Sequence, residues 1–214
     1  MTDSSTNHPE NLSPRLDGNE AVNRAAEVAK TTGGRNIPSL GELPIPADTA
    51  NLREGPSLHD GLLALLPLVG VWRGEGQADT PEDGEFTFGN QLIFSHDGGN
   101  YINVESKCWK KDAPESLESR ETGFLRINDK DEIEFILCHS GGAVEIMYGE
   151  PLNERAWELS SASTMATASG LTTLGPGKRL YGLLPNGDLG WVDERLVDQE
   201  LKPRRSTQLQ RYAG

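Results

Sequence analysis

An excess of 33 Asp and Glu over 20 Lys and Arg gives this 214-residue chain a formal charge of −13, so its field repels polyanions and sets nucleic acids and anionic membrane surfaces aside as partners. The length suits one domain with tails. The opening residues contain neither a basic nor an apolar signal region, and no stretch approaches the ~18–20 consecutive apolar residues of a bilayer span, so a soluble cytoplasmic protein is expected.

Residues 1–56 are rich in Asn, Ser, Thr, Pro, Gly and charges, a composition that buries too little apolar surface to offset the entropy of ordering. They are read as a disordered leader, in which "GNEAVNRAAEVAKTT" alone has helix formers at helical spacing. Order is expected from residue 57, giving one domain over 57–214. "SLHDGLLALLPLVG" predicts a short helix capped by Ser57 and stopped near Pro67, its leucines plugging one end of the β-structure downstream.

After Val69 the chain turns to short period-two runs broken by Gly, Asn, Asp and Pro every ~8–14 residues, the pattern of an all-β sandwich or barrel. Phe86, Phe88, Leu92 and Phe94 share one face of such a run. Eight to ten antiparallel strands are expected. A closed, lipocalin-like barrel of about ten is preferred because closure removes exposed edges, with a sandwich as the alternative. Cys108 and Cys138 each lie inside a strand-like run without CxxC spacing, and both are expected as buried thiols rather than disulfide or metal ligands. His96 and His139 fall at the hairpin tips "SHDGGN" and "HSGG", where solvated or turn-stabilising roles are expected, and His59 falls at the end of the plug helix.

Trp72 among Gly70, Gly74 and Gly76 predicts an indole closing the barrel base where backbones approach closely. The pattern G-x-W-x-G-x-G, after a leucine-rich helix and followed by "ETGFLRI", "LCHSGGAVEI" and "WELSS" in order, resembles the nitrobindin family, also described as fatty-acid-binding-protein-like. The resemblance covers residues 57–214. It implies a ten-stranded barrel that holds ferric heme b at its open end through a histidine of the last strand, binds nitric oxide and isomerises peroxynitrite to nitrate.

The last strand departs from that pattern. With Leu201 and Arg211 as fixed points, the histidine position falls on Arg204, and a slip of one residue gives Arg205. No histidine follows His139; His8, His59, His96 and His139 are the only four. A guanidinium stays protonated and offers iron no lone pair. Period two puts Ser206, Gln208 and Gln210 on the face of Arg204, which predicts a polar pocket lining, and the acidic loop Asp79 to Glu85 opposes anionic propionates. "SGLTTLGPG" has no clear counterpart of the basic residue that some members place near those propionates.

The resulting expectation is a non-enzymatic barrel that has lost the histidine ligand and holds a small ligand of unidentified chemistry, or serves as a scaffold. No cofactor or metal is expected, and no catalytic residue is assigned. Arg204 and Arg205 are candidate anion contacts, as in a fatty-acid-like carboxylate binder. The alternatives are a heme-dependent peroxynitrite isomerase with another iron ligand and an interaction protein recruiting partners through its leader. GxSxG, HExxH and phosphate-loop motifs are absent from the sequence, and the acids of "DKDEIE" read as a solvated turn.

Overall fold

The computed structural model describes residues 17–35, 41–113, 117–170 and 174–214. The chain divides into two compact units, Met1–Leu43 and Pro44–Gly214. In the first, α1 (Gly18–Thr32) forms over the 15 residues with helical spacing. Asp17 caps it by accepting from the Asn19 and Glu20 amides, and no α1 residue is buried. Residues 1–16 and 36–40 of the expected leader lie outside the described residues.

The second unit begins earlier than residue 57. Its first residues form a strap in which Thr49 and His96 exchange backbone hydrogen bonds of 2.8 and 2.9 Å. A 3₁₀ helix, Asp60–Leu68, then plugs the barrel. The expected short helix is of the 3₁₀ type: Leu62, Leu65 and Leu68 recur every three residues and are all buried, which matches its three-residue turn and leaves Leu63 exposed. The cap is His59, whose Nδ1 accepts from the Gly61 amide, rather than Ser57.

Ten antiparallel strands close in the order β1-β10-β9-β8-β7-β6-β5-β4-β3-β2, a meander whose last strand returns to the first. They are β1 (Gly70–Thr80), β2 (Gly84–Ser95), β3 (Ile102–Lys110), β4 (Leu117–Ile127), β5 (Ile133–His139), β6 (Ala143–Asn153), β7 (Ala156–Ala166), β8 (Gly177–Leu183), β9 (Leu189–Val197) and β10 (Glu200–Ala213). Alternation along each strand sends Phe88, Leu92 and Phe94 inward with Ile102, Leu125, Phe135, Met147, Leu159 and Leu209.

The plug end is dry. Trp72 is fully buried, its Nε1 donates to Leu68 O at 2.8 Å, and the Arg211 guanidinium lies 4.0 Å from its ring centre. Arg211 also donates to Val69 O and Pro67 O, so one cation covers the indole and ties β10 to the end of the plug. Trp157 Nε1 holds the plug from β7 through Ala64 O at 2.9 Å. Gly74 lies where β10 crosses closest: a Cβ there would sit 2.1 Å from Gln208 O.

Candidate functional site

The opposite end, the barrel mouth, is lined by charges that occupy inward positions at the strand ends. Trp191, Asp193 and Arg195 follow one another inward on β9, as do Tyr181 and Arg179 on β8, Met147 and Glu145 on β6, and Leu137 and His139 on β5. Each strand thus carries its apolar inward pattern to mid-barrel and switches to charge near the mouth.

These groups form one connected lattice. Arg179 is bidentate to Glu121 at 2.9 and 3.0 Å and reaches Asp193 at 3.1 Å. Arg195 is bidentate to Glu145 at 2.7 and 3.1 Å, donates to both Asp193 oxygens, and tops out on Leu174 O and Gly175 O. Ser161 donates to Glu145 and accepts from the Gly177 amide. His139 stands between two carboxylates, Nδ1 3.2 Å from Glu121 and Nε2 3.6 Å from Glu145.

Burial opposes every charge here, and the partners overcome it. Burial raises the Glu145 carboxyl, yet His139, Arg195 and Ser161 bring it down to about 2. Glu121 is likewise held well below the usual carboxylate range, mainly by Arg179 against desolvation. The His139 imidazole is pushed down by desolvation and raised, on balance, by the carboxylates of Glu121 and Glu145 on either side of it. Four carboxylates, Glu118, Glu121, Glu145 and Asp193, face three guanidiniums, Arg179, Arg195 and Arg205, so a protonated His139 balances the set.

β10 supplies the last arginine. Arg205 is bidentate to Glu118, both contacts 2.7 Å, and donates to Ser119 Oγ at 3.0 Å. Below it Asn90 donates to Ser106 Oγ and accepts from Trp191 Nε1, each at 3.0 Å. Beside them Cys108 is pushed up to about 11 by burial, an inert thiol. A cleft of about 440 Å³ opens above the lattice, lined by Asp83, Glu118, Ser119, Ser140, Arg195 and Arg205 among others.

Residues 61–211 match the model of the THAP4-like, heme-binding beta-barrel domain. The ferric nitrobindin-like protein of Corynebacterium efficiens is 68% identical over 94% of this chain and 88% of its own length. The chain belongs to the nitrobindin family. The peroxynitrite isomerase 2 of Mycolicibacterium smegmatis is 49% identical over 94% of this chain and 96% of its own. Among solved structures, that of Rv2717c from M. tuberculosis aligns with a TM-score of 0.63 and 25% identity, covering 72% of this chain and 99% of that one.

Within this nitrobindin-family barrel the residues singled out in the sequence fall at separate levels. Gly70 and Trp72 belong to the plugged end, Gly74 and Gly76 to the closely packed flank against β10, and Arg204 and Arg205 to the mouth. Either register leaves an arginine at the histidine position, but the two arginines are not equivalent. A bulge between Pro203 and Arg205 makes Arg204 the extra residue, its Nη1 donating to Asp79 O at 3.0 Å, while Arg205 turns to the buried carboxylate of Glu118.

The expected lining needs correction. Ser206, Gln208 and Gln210 do share a face, as alternation predicts, but it is the outer one, and Thr207 and Leu209 face inward. The histidines need correction too. His139 belongs to the buried lattice, and His96 is fully buried with neither ring nitrogen hydrogen-bonded among the described residues. His8 lies outside the described residues, as do residues 171–173 of the "SGLTTLGPG" stretch. Cys108 is buried as expected, but Cys138 is exposed because it falls on the outer parity of β5. The lattice itself was missed, although charged residues continuing the inward phase of Trp191, Tyr181, Met147 and Leu137 were its signal.

Proposed function

We propose that this chain is a non-enzymatic nitrobindin-family barrel whose mouth no longer takes heme through a histidine of β10, and which acts as a scaffold or binds a small polar ligand at the mouth cleft. The lattice at the mouth is the observation that carries this reading. A porphyrin needs a flat apolar slot and an axial donor, whereas the inward positions here hold Arg179, Arg195 and Arg205 paired with four carboxylates. Inserting heme would separate buried partners, and breaking one such pair costs about 3–5 kcal/mol. These residues do not fit heme.

The histidines support the same reading. His59 caps the plug through Nδ1, His96 lies at the plugged end, and His139 is committed between Glu121 and Glu145. A fatty-acid-like carboxylate is disfavoured as the ligand, because Glu118 already occupies the fork of Arg205.

Ferric heme titration of the purified full chain, followed in the Soret region beside Arg204→His and Arg205→His variants, tests this. No saturable shift is expected from the parent. Stoichiometric binding with a defined Soret band would overturn the reading in favour of the activity named in the mycobacterial relative.

A further inference from the structure

The strap pairs with a histidine that it hides but does not satisfy. His96 stands just past β2, at the start of the turn to β3, and its backbone exchanges both hydrogen bonds with Thr49. Its side chain is fully buried, yet neither ring nitrogen has a hydrogen-bond partner among the described residues, which opposes the closed arrangement. The neighbouring acids are committed elsewhere. Asp97 accepts from the Tyr101 hydroxyl at 2.5 Å and from the Gly99 amide at 2.9 Å, and Asp48 of the strap faces Asn103 Nδ2 at 3.5 Å. These two carboxylates are the charged groups that act on the ring; the plug and β3 bring none to it among the described residues.

The cover over this ring is light. From Pro44 to Ser57 no residue is buried, and Thr49 is where the chain, followed from its start, first bonds its backbone to the barrel among the described residues. Pro46, Asp48, Thr49, Glu54 and Pro56 enclose a cleft of about 540 Å³ within the strap itself. Gly55, at φ 76°, supplies the turn back toward the plug. A segment with so few buried contacts opens locally at far lower cost than the fold as a whole.

We propose that residues 44–56 form an acid-released strap, seated while His96 is neutral and lifted from the plugged end when the ring takes up a proton and meets water. Closed, burial lowers the proton affinity of the ring in spite of Asp97 and Asp48. Open, the ring returns to the ordinary histidine value of about 6.5. Opening and proton uptake are therefore linked: the seated strap has its full stability above that value and loses it as pH falls toward the lower value of the closed form. Between pH 7.5 and pH 5 the linkage raises the open fraction by up to about 30-fold. The first firm hold on the chain then passes from Thr49 to Leu58, which is buried in the core, and the stretch between them adds up to about 30 Å of slack to the chain that precedes it.

Hydrogen exchange of the ¹⁵N-labelled full chain at pH 7.5 and pH 5, read as protection factors, tests this through the Thr49 and His96 amides, both of which bond across the strap. At pH 7.5 both should be at least about tenfold less protected than ladder amides of the barrel such as that of Ile136, the mark of local opening. By pH 5 their protection should fall at least about fivefold further. In His96→Phe it should stay within about twofold across the same interval, and Asp48→Asn, which removes the strap carboxylate beside the ring, should retain the fall. Protection equal to that of the barrel, no fall by pH 5, a fall that survives His96→Phe, or one abolished by Asp48→Asn would overturn the proposal. The parent and Asp48→Asn decide it even if His96→Phe does not fold.

Discussion

The two ends of this barrel are closed by opposite chemistry. At the plug end, three leucines of a 3₁₀ helix, Trp72 and Trp157 fill the interior, and two indole N–H groups and the Arg211 guanidinium donate to backbone carbonyls there. At the mouth, guanidiniums, carboxylates and one imidazole fill the same cross-section and compensate one another's charge. Apolar packing closes an end by exclusion and tolerates loss roughly in proportion to volume. An ionic lattice closes it by mutual compensation, so removing one member strands the others.

The largest effect should come from the dry end. Trp72→Ala removes a fully buried indole, its bond to Leu68 O and the surface beneath Arg211, with an expected cost of about 4–5 kcal/mol in urea unfolding. At the mouth, Arg195→Met strands Glu145 and Asp193 and should cost about 3–4 kcal/mol. The paired change Arg195→Met with Glu145→Leu should recover much of that loss, which would separate a compensation mechanism from simple packing.

The ends also differ in the sign of their pH dependence. His139 binds its proton more tightly folded than unfolded, so its contribution is complete below 6.5 and fades as pH rises through the folded value. Fully buried His96 at the plug end is depressed, chiefly by desolvation, despite Asp97 and Asp48; stability tied to it is present above 6.5 and fades on acidification. Glu145, lowered from 4.5 to about 2, adds a second acid loss in that interval. His139→Asn should therefore flatten the alkaline limb of a melting profile and His96→Phe the upper acid limb. Equal effects of both variants on one limb would contradict the assignment.

Smaller again, Arg211→Leu should cost about 1–2 kcal/mol, because the stacking and carbonyl bonds it loses are partly exposed. Leu63→Gln, on the solvent side of the plug, should change stability by less than about 0.5 kcal/mol.

The plugged end was legible in the sequence because its signals are local: leucines followed by Gly70, Trp72, Gly74 and Gly76 define a helix, a strand start and a close crossing. Period two likewise reveals the strands and the inward phenylalanines. The mouth was not legible, because its partners come from β4, β5, β6, β8 and β9 and meet only when the meander closes. His139 read as a hairpin-tip residue since Glu121, which faces its Nδ1, comes from the preceding strand β4 and is far from it in sequence. On β10, alternation grouped Ser206, Gln208 and Gln210 correctly but could not say which face turns inward, and after the bulge at Pro203 it is Arg205, Thr207 and Leu209 that meet the interior.

The most direct test of a charge-compensated mouth is the protonation of His139 itself. In a ¹⁵N-histidine NMR titration, with His139→Asn to assign the signal, its imidazole should titrate above the value of an unperturbed histidine, with both nitrogens protonated below that value. Titration at or below that value would contradict the lattice, since a neutral ring cannot serve the carboxylates of Glu121 and Glu145 together.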